Sequence, residues 1–432
     1  SCLMITARFL WCAVWRALAS SAGPVAAGEA PATAALITWP EAAARAAEAN
    51  PGLAAARAAV ERARHDLAAA RGAWWPTLSG SAGYTRSDSD SAEDGSIDRA
   101  SIGLDADYTL FAGLGDRARM QIAAANLAQA EADLAAAAAD AGATVRRAYV
   151  QLLFAHRGTD LAHRIVQRRR QNLDLVELRF ESGSENRGAL LRTHASVLQA
   201  EAEEQEARRG IAVRQRELAG AMGLDLRDAW VAEGDVPAGS APEEPDWNAL
   251  ARASPRTQSA EHALKARRAA RVLARSALQP DLTVRAGLNR SGDDWPPEED
   301  GWSAGLALSV PFFSGGRNIN QLAAAEADVR QAESSARETK QAVLLDLESA
   351  WASLRDAESQ LAVQKAFLEA AEVRAEIARA QYANGLLSFQ NWDQIEDELI
   401  QSQQSVLASR RDAALAAAEW DRVRGQSLFA SP

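Results

Sequence analysis

The chain has 432 residues, 47 Lys+Arg against 58 Asp+Glu, and a formal net charge of −11; 47% of it is hydrophobic, with alanine the largest share. That balance disfavours nucleic-acid binding, which needs a basic face against phosphate, and no run of 18 strongly apolar residues exists to serve as a transmembrane helix. Cys2 and Cys12 are the only thiols, so nothing beyond residue 12 can build a disulfide framework, a cysteine nucleophile or a cysteine metal site. Taken alone, these numbers describe a soluble, alanine-rich helical protein.

The first segment reads as an export leader over residues 1–27. Arg8 precedes a short apolar run, Phe9 to Trp15, and small residues follow through Val25-Ala26-Ala27. Charge, short apolar core and small residues in that order mark a secretory signal, and the core is too short to span a bilayer. Trp11 before Cys12 is too bulky for a lipoprotein signal. The alternative reading of this stretch is a disordered tail.

After the leader the chain contains the same half twice. Asn50-Pro51 recurs as Ser254-Pro255 and Trp75-Pro76 as Gln279-Pro280, each 204 positions later. Farther along the spacing becomes 202: Phe111-x-Gly113 returns as Phe313-x-Gly315, Ala148-Tyr149 as Ala350-Trp351, and Phe180-x-x-Gly183 as Tyr382-x-x-Gly385. The repeats are expected over 28–222 and 247–425. A Gly- and Pro-rich connector, 223–246, lies between them and a tail, 426–432, follows.

The first repeat opens with a helical segment over roughly 41–72. A β-hairpin is expected over 77–111, where Leu78, Ala82 and Tyr84 alternate with Ser79, Ser81 and Thr85. Ile102, Leu104, Ala106, Tyr108 and Leu110 likewise alternate with Gly103, Asp105, Asp107 and Thr109. A long helix over 115–181 follows, with apolar rows stepping by seven: Met120, Leu127, Leu134, Ala141, Ala148, and then Val145, Leu152, Thr159, Val166, Leu173, Phe180. The 3.5-residue period predicts left-handed supercoiling, and about 67 residues give a rod of about 100 Å. A helix over 189–222 returns along it.

The second repeat predicts the same series: a helix over roughly 247–278, a hairpin over 281–313, a long helix over 317–384 and a returning helix over 389–425. Its strands alternate Leu282, Val284, Ala286 and Leu288 with Thr283, Arg285, Gly287 and Asn289, and then Trp302, Ala304, Leu306, Leu308 and Val310 with small residues. Strands of about ten residues with one apolar and one polar face fit a transmembrane β-barrel; a soluble sheet packed on one face is the alternative. Trp74, Trp75, Trp295 and Trp302 lie where a membrane aromatic belt would sit. Four strands cannot close a barrel in lipid, where the smallest has eight, so they demand partner chains.

The duplicated plan and its motifs resemble the TolC-type outer membrane factors. The residues that carry the resemblance are Asn50-Pro51-x-Leu53, Ala73-x-x-Pro76-x-Leu78, Tyr108-x-Leu110-Phe111-x-Gly113 and Tyr382-x-x-Gly385-x-x-Ser388. The resemblance implies a mainly α fold with a β membrane part: a coiled-coil α-barrel plus four transmembrane strands per chain, closed as a trimeric 12-strand barrel. It implies the outer membrane of a Gram-negative bacterium with a large periplasmic extension. The function implied is a passive exit duct of a tripartite efflux pump or type I secretion system. The expected partners are a homotrimer, a periplasmic adaptor (membrane fusion) protein, an inner-membrane pump or ABC exporter reached through the adaptor, and outer membrane lipid; no nucleic acid is expected. A non-channel periplasmic coiled-coil scaffold is the competing class.

Within that resemblance Asp105, Asp107, Arg285 and Asn289 line the barrel lumen. The family's adaptor-contact pattern, Arg-x-x-Tyr-x-x-Gly-x-x-Ser, maps onto Arg379, Tyr382, Gly385 and Ser388, with Leu386 and Leu387 adding apolar contact. Arg179, Phe180 and Gly183 form the weaker first tip, where Asn186 replaces the serine. Simple helix-capping chemistry at the two glycines is the alternative. The family's gate positions fall on Asn391 and Gln394, both uncharged, with Asp397 or Glu398 as a further acidic ring. The arginines at 164, 168, 169 and 170 read as inter-helix ion-pair partners, with a second adaptor contact as the alternative. No catalytic set and no metal site is expected: the five histidines are scattered without ligand spacing, and no cofactor is implied.

Overall fold

The computed structural model describes residues 35–87, 97–234, 243, 245–427 and 429. The expected leader, 1–27, and parts of the connector and tail lie outside them. Strand β1 (Ala35–Ile37) leads into α1 (Trp39–Ala49) and α2 (Pro51–Gly72). The hairpin β2 (Thr77–Ser87) and β3 (Ile97–Ala112) precedes the long helix α3 (Gly115–Glu181) and the returning helix α4 (Arg187–Met222). Strand β4 (Trp230–Ala232) separates the halves. Then α5 (Trp247–Ala253), α6 (Pro255–Ser276), β5 (Asp281–Gly292), β6 (Glu299–Ser309), α7 (Arg317–Ala383) and α8 (Phe389–Val423) repeat the series.

Where one helix was expected over 41–72, two form. Proline at 51 cannot donate the backbone bond that would continue α1, yet it suits the first position of a new helix. Asn50 caps that helix, its Oδ1 accepting from the Leu53 amide at 3.1 Å. The same break falls at Ser254-Pro255 between α5 and α6.

The helices form a layer in which α3 and α7, 67 residues each, run its full length. Near the sheet, α2 packs on α3, and α6 lies between α3 and α7; toward the far end α4 takes the place of α2, and α8 that of α6. The shorter helices are thus stacked end to end, and glycines make the joints. Gly223 (φ 81°) ends α4 against the α1–α2 break, with the Asn50 Nδ2 donating to the Ala221 carbonyl at 3.0 Å. Gly425 (φ 71°) ends α8 against Pro255.

The α3 seam differs from the expected row. Met120, Leu127, Leu134 and Ala141 are only half-buried, while Ala118, Ala125, Ala132 and Ala139 are buried. The step of seven is the same but the close-packed line is alanine, which admits a neighbouring helix at little side-chain entropy cost. Phe180, the last member of the second expected row, is exposed at the tip.

Two of the cores lie at mid-length and again show the duplication. Val145, Ala148, Tyr149 and Leu152 of α3 pack with Ile37, Leu218, Met222 and Trp230; Leu347, Ala350 and Leu354 of α7 pack with Ala251, Ala417 and Trp420. Edge-on aromatic pairs, Trp39–Tyr149 at 5.8 Å and Trp247–Trp351 at 5.7 Å, occupy equivalent places. The connector expected over 223–246 is therefore not free of core structure: β4 pairs in parallel with β1 and buries Trp230.

Candidate functional site: the sheet and the helix tips

The four long strands form one antiparallel sheet in the order β2-β3-β5-β6. Its register puts Leu78 beside Ala106, Ala106 beside Ala286 and Ala286 beside Ala304, so the apolar rows of all four strands share a face. Leu104, Leu288, Trp302 and Leu306 stand exposed on that face. One expected member moves. A bulge between Thr109 and Phe111 puts Phe111, not Leu110, beside Leu282.

The other face holds the polar residues. Asp107 lies opposite Arg285, with Arg285 Nε 3.1 Å from Asp107 Oδ1. Asp105 faces Gly287 and Asn289 faces Gly301, and a Cβ on either glycine would fall within 2.8 Å of the neighbouring side-chain oxygen. The glycines let these polar groups lie flat across the sheet. Trp74 and Trp75 precede β2 at the helical end and Trp295 lies in the opposite β5–β6 turn, whereas Trp302 is within β6, paired with Leu288. Phe312 (93% exposed) and Phe313 (89%) follow β6 at the helical end; the sequence reading missed them, although Pro311-Phe312-Phe313 directly after an alternating strand was the available signal.

At the far end each long helix turns on a left-handed glycine, Gly183 (φ 70°) or Gly385 (φ 73°). Asn186 and Ser388 cap the returning helices alike: Asn186 Oδ1 accepts from Ala189 N at 3.0 Å, and Ser388 Oγ from Asn391 N at 3.4 Å. The asparagine therefore replaces serine without loss of the cap.

Tyr382 is not a surface residue within the chain. Its ring is fully buried, stacked on Trp392 at 4.3 Å and 5°, with the Arg179 guanidinium 4.6 Å from the ring centroid. Arg179 also donates to the Tyr382 carbonyl, and the Tyr382 hydroxyl donates to Glu185 Oε2 at 3.0 Å. Burial, reinforced by that carboxylate, pushes the phenol well above its ordinary pKa. Arg179 and Tyr382 thus lock the two tips together. Gly183, Gly385, Leu386, Ser388 and Phe180 stay exposed, while Arg379 is half-buried.

Asn391 and Gln394 are exposed on α8, one turn apart. Asp397 and Glu398 are exposed as well, but each meets a cation of its own chain: Asp397 bonds Arg169, and Arg374 Nη1 lies 2.7 Å from Glu398 Oε2. An acidic ring there is neutralised in place. Asp393 is buried against Arg192 at 2.6 Å, and the fully buried Glu396 accepts from Arg168 at 2.6 and 2.9 Å and from Asn172 at 3.0 Å. Arg168, Arg169 and Arg170 are thus the inter-helix partners expected of that cluster, Arg170 reaching Glu201 of α4.

The sequence profile of the outer membrane efflux proteins matches residues 42–224 and 248–426. The chain belongs to the outer membrane efflux protein family. Among curated members, a probable outer membrane lipoprotein of Salmonella typhimurium, SilC, is 30% identical over 158 residues, 35% of this chain and 34% of its own length. The cation efflux system protein CusC of Escherichia coli K12 is 25% identical over 161 residues, 36% of this chain and 34% of its own. The sequence match therefore spans about a third of these relatives. Solved structures share the fold far more completely. A CusC structure superposes with a TM-score of 0.81 at 19% identity, covering 89% of this chain and 91% of that one. VceC of Vibrio cholerae does so with 0.81 at 22% identity over 90% and 96%.

In this outer membrane efflux protein no described helix is long and apolar enough to cross a membrane. Both lateral edges carry exposed apolar side chains. On α7, Val363, Phe367, Val373 and Ile377 form one exposed stripe, and on α4 Leu191, Leu198 and Val213 form another. A stripe at helical spacing on an edge helix calls for a facing helix.

Proposed function

We propose that three copies of this chain close into a duct that conducts substrates passively across the outer membrane, receiving them from a periplasmic adaptor and an inner-membrane pump or exporter. The observation that carries the reading is the pair of open edges. Strand β2 with α4 exposes one side and β6 with α7 the other, so copies join head to tail around a ring. Unpaired strand edges are not tolerated in hydrocarbon, so the sheet must close. Two copies would give eight strands, an interior filled by side chains, while three give twelve and leave a passage. The polar row of Asp105, Asp107, Arg285 and Asn289 then faces water and the Leu-rich row faces lipid, with Trp74, Trp75, Phe312 and Phe313 at the periplasmic boundary.

The exposed tip residues, Leu386 and Ser388 with Gly385, and Phe180 with Gly183, supply the adaptor contact, and Asn391 and Gln394 line the constriction. Single-channel recording of Gln394→Arg tests the last point: a lower conductance and weaker cation preference are expected, and unchanged values contradict it. The ring is tested by Phe367→Glu, which places a charge in the α7 stripe. Wild-type protein from the outer membrane fraction should run as a heat-modifiable trimer and the variant largely as monomer. A wild-type monomer in the soluble fraction would support the coiled-coil scaffold instead.

A further inference from the structure

A groove of about 710 Å³ runs over α3 between α4 and α8, within the size range of small-molecule sites. Its apolar wall is Phe154, Leu161, Ile165, Leu407 and Leu415. Two glycines open it, Gly158 of α3 and Gly210 of α4. A Cβ at Gly210 would meet nothing within 4 Å, and one at Gly158 only the Leu407 side chain at 3.9 Å. Glycine inside a helix is less favourable than alanine, and these helices use alanine freely elsewhere, so the space is kept at a cost to stability. At the rim, Arg411 pairs with Asp412, and Arg214 pairs with Glu217 at 2.7 Å. Glu203 has only the neutral Gln199 amide at 2.9 Å and no cationic partner among the described residues.

The side of the wall on which the groove opens follows from α3, and this step rests on the duct reading above. Tyr149 and Arg157 point to the β1–β4 unit, bonding the carbonyls of Ile37, Glu233 and Gly234. At 100° per residue, Phe154, Gly158, Ala162 and Ile165 lie about 130° from the row through Tyr149, Leu153 and Arg157. Three β1–β4 units inside a tube would obstruct it, so they lie outside and the groove faces the lumen.

We propose that this groove is a binding site in the duct wall for amphipathic organic cations, the apolar body lying on Phe154, Leu161 and Leu407 and the cation directed to Glu203. The chain's net charge of −11 raises the local concentration of such ligands. The test uses the full chain in lipid nanodiscs, free of detergent, with rhodamine 6G as the cationic probe read by fluorescence anisotropy and N-phenyl-1-naphthylamine as a neutral one. Gly210→Leu fills the groove and should weaken both probes about tenfold or more. Glu203→Gln should weaken rhodamine 6G alone. Both variants should still assemble and form ion-conducting channels. Undiminished rhodamine 6G binding in Gly210→Leu, or no binding by a conducting wild-type channel, would overturn the proposal. A wild-type protein that binds the dye but conducts nothing contradicts the duct reading and the lumen placement built on it.

Discussion

Gly223→Ala is expected to destabilise the fold by about 2–5 kcal/mol, and Gly183→Ala by only about 1–2 kcal/mol. Both glycines adopt positive φ, 81° and 70°, and a left-handed conformation costs a residue with a Cβ about 1–2 kcal/mol. The difference lies in what surrounds them. A Cβ at Gly183 meets nothing within 4 Å, whereas at Gly223 it would sit 2.5 Å from the Ala49 carbonyl oxygen and 2.8 Å from Pro51 Cδ. Relief requires separating the end of α4 from the α1–α2 break, an overpacking cost of about 1–3 kcal/mol more. Hydrogen exchange read at the Leu53 and Ala54 amides should show markedly less protection in Gly223→Ala and little change in Gly183→Ala. Equal effects of the two substitutions would mean that the end-to-end joint carries no particular stability. Gly425→Ala, against Pro255, should behave like Gly223→Ala.

The second large effect is expected at the tips. Tyr382→Ala removes a fully buried aromatic ring stacked on Trp392 and beneath Arg179, a loss of about 3–5 kcal/mol for a well-packed aromatic. Tyr382→Phe keeps the ring and loses only the hydroxyl bond to the Glu185 carboxylate, worth about 1.5–3 kcal/mol. The damage should be local: amides of residues 176–192 and 378–399 exchange faster in Tyr382→Ala, while those around Val145 and Leu152 are unchanged. Equal exchange in the alanine and phenylalanine variants would show that the ring does not join the tips.

These two sites show where sequence reasoning reached and where it stopped. The alternating strands and the long helices were legible because their periods, two and seven, are carried by many residues at once. The 202-residue spacing marks Tyr382 and Gly385 as tip residues from the sequence alone. Their roles were not legible. Its motif assigns Tyr382 to an adaptor contact, but only the packing of Trp392, ten residues ahead, and Arg179, across the duplication, shows it to be internal. The Ala118 to Ala139 seam is hidden beside the Met120 row because larger side chains mark a core more visibly than alanine. Asp397 and Glu398 looked free in sequence; their neutralising arginines lie on other helices. The short pairing of β1 with β4 joins residues 195 apart, Ala35 with Trp230, and three-residue strands leave no periodic trace.

The central claim is that copies of this chain close into a water-filled passage. Single-channel recording of the purified wild-type protein in planar lipid bilayers tests it most directly. The account predicts long-lived, discrete conductance steps with a preference for cations. A protein that inserts into the bilayer as a defined assembly and passes no ions would contradict it.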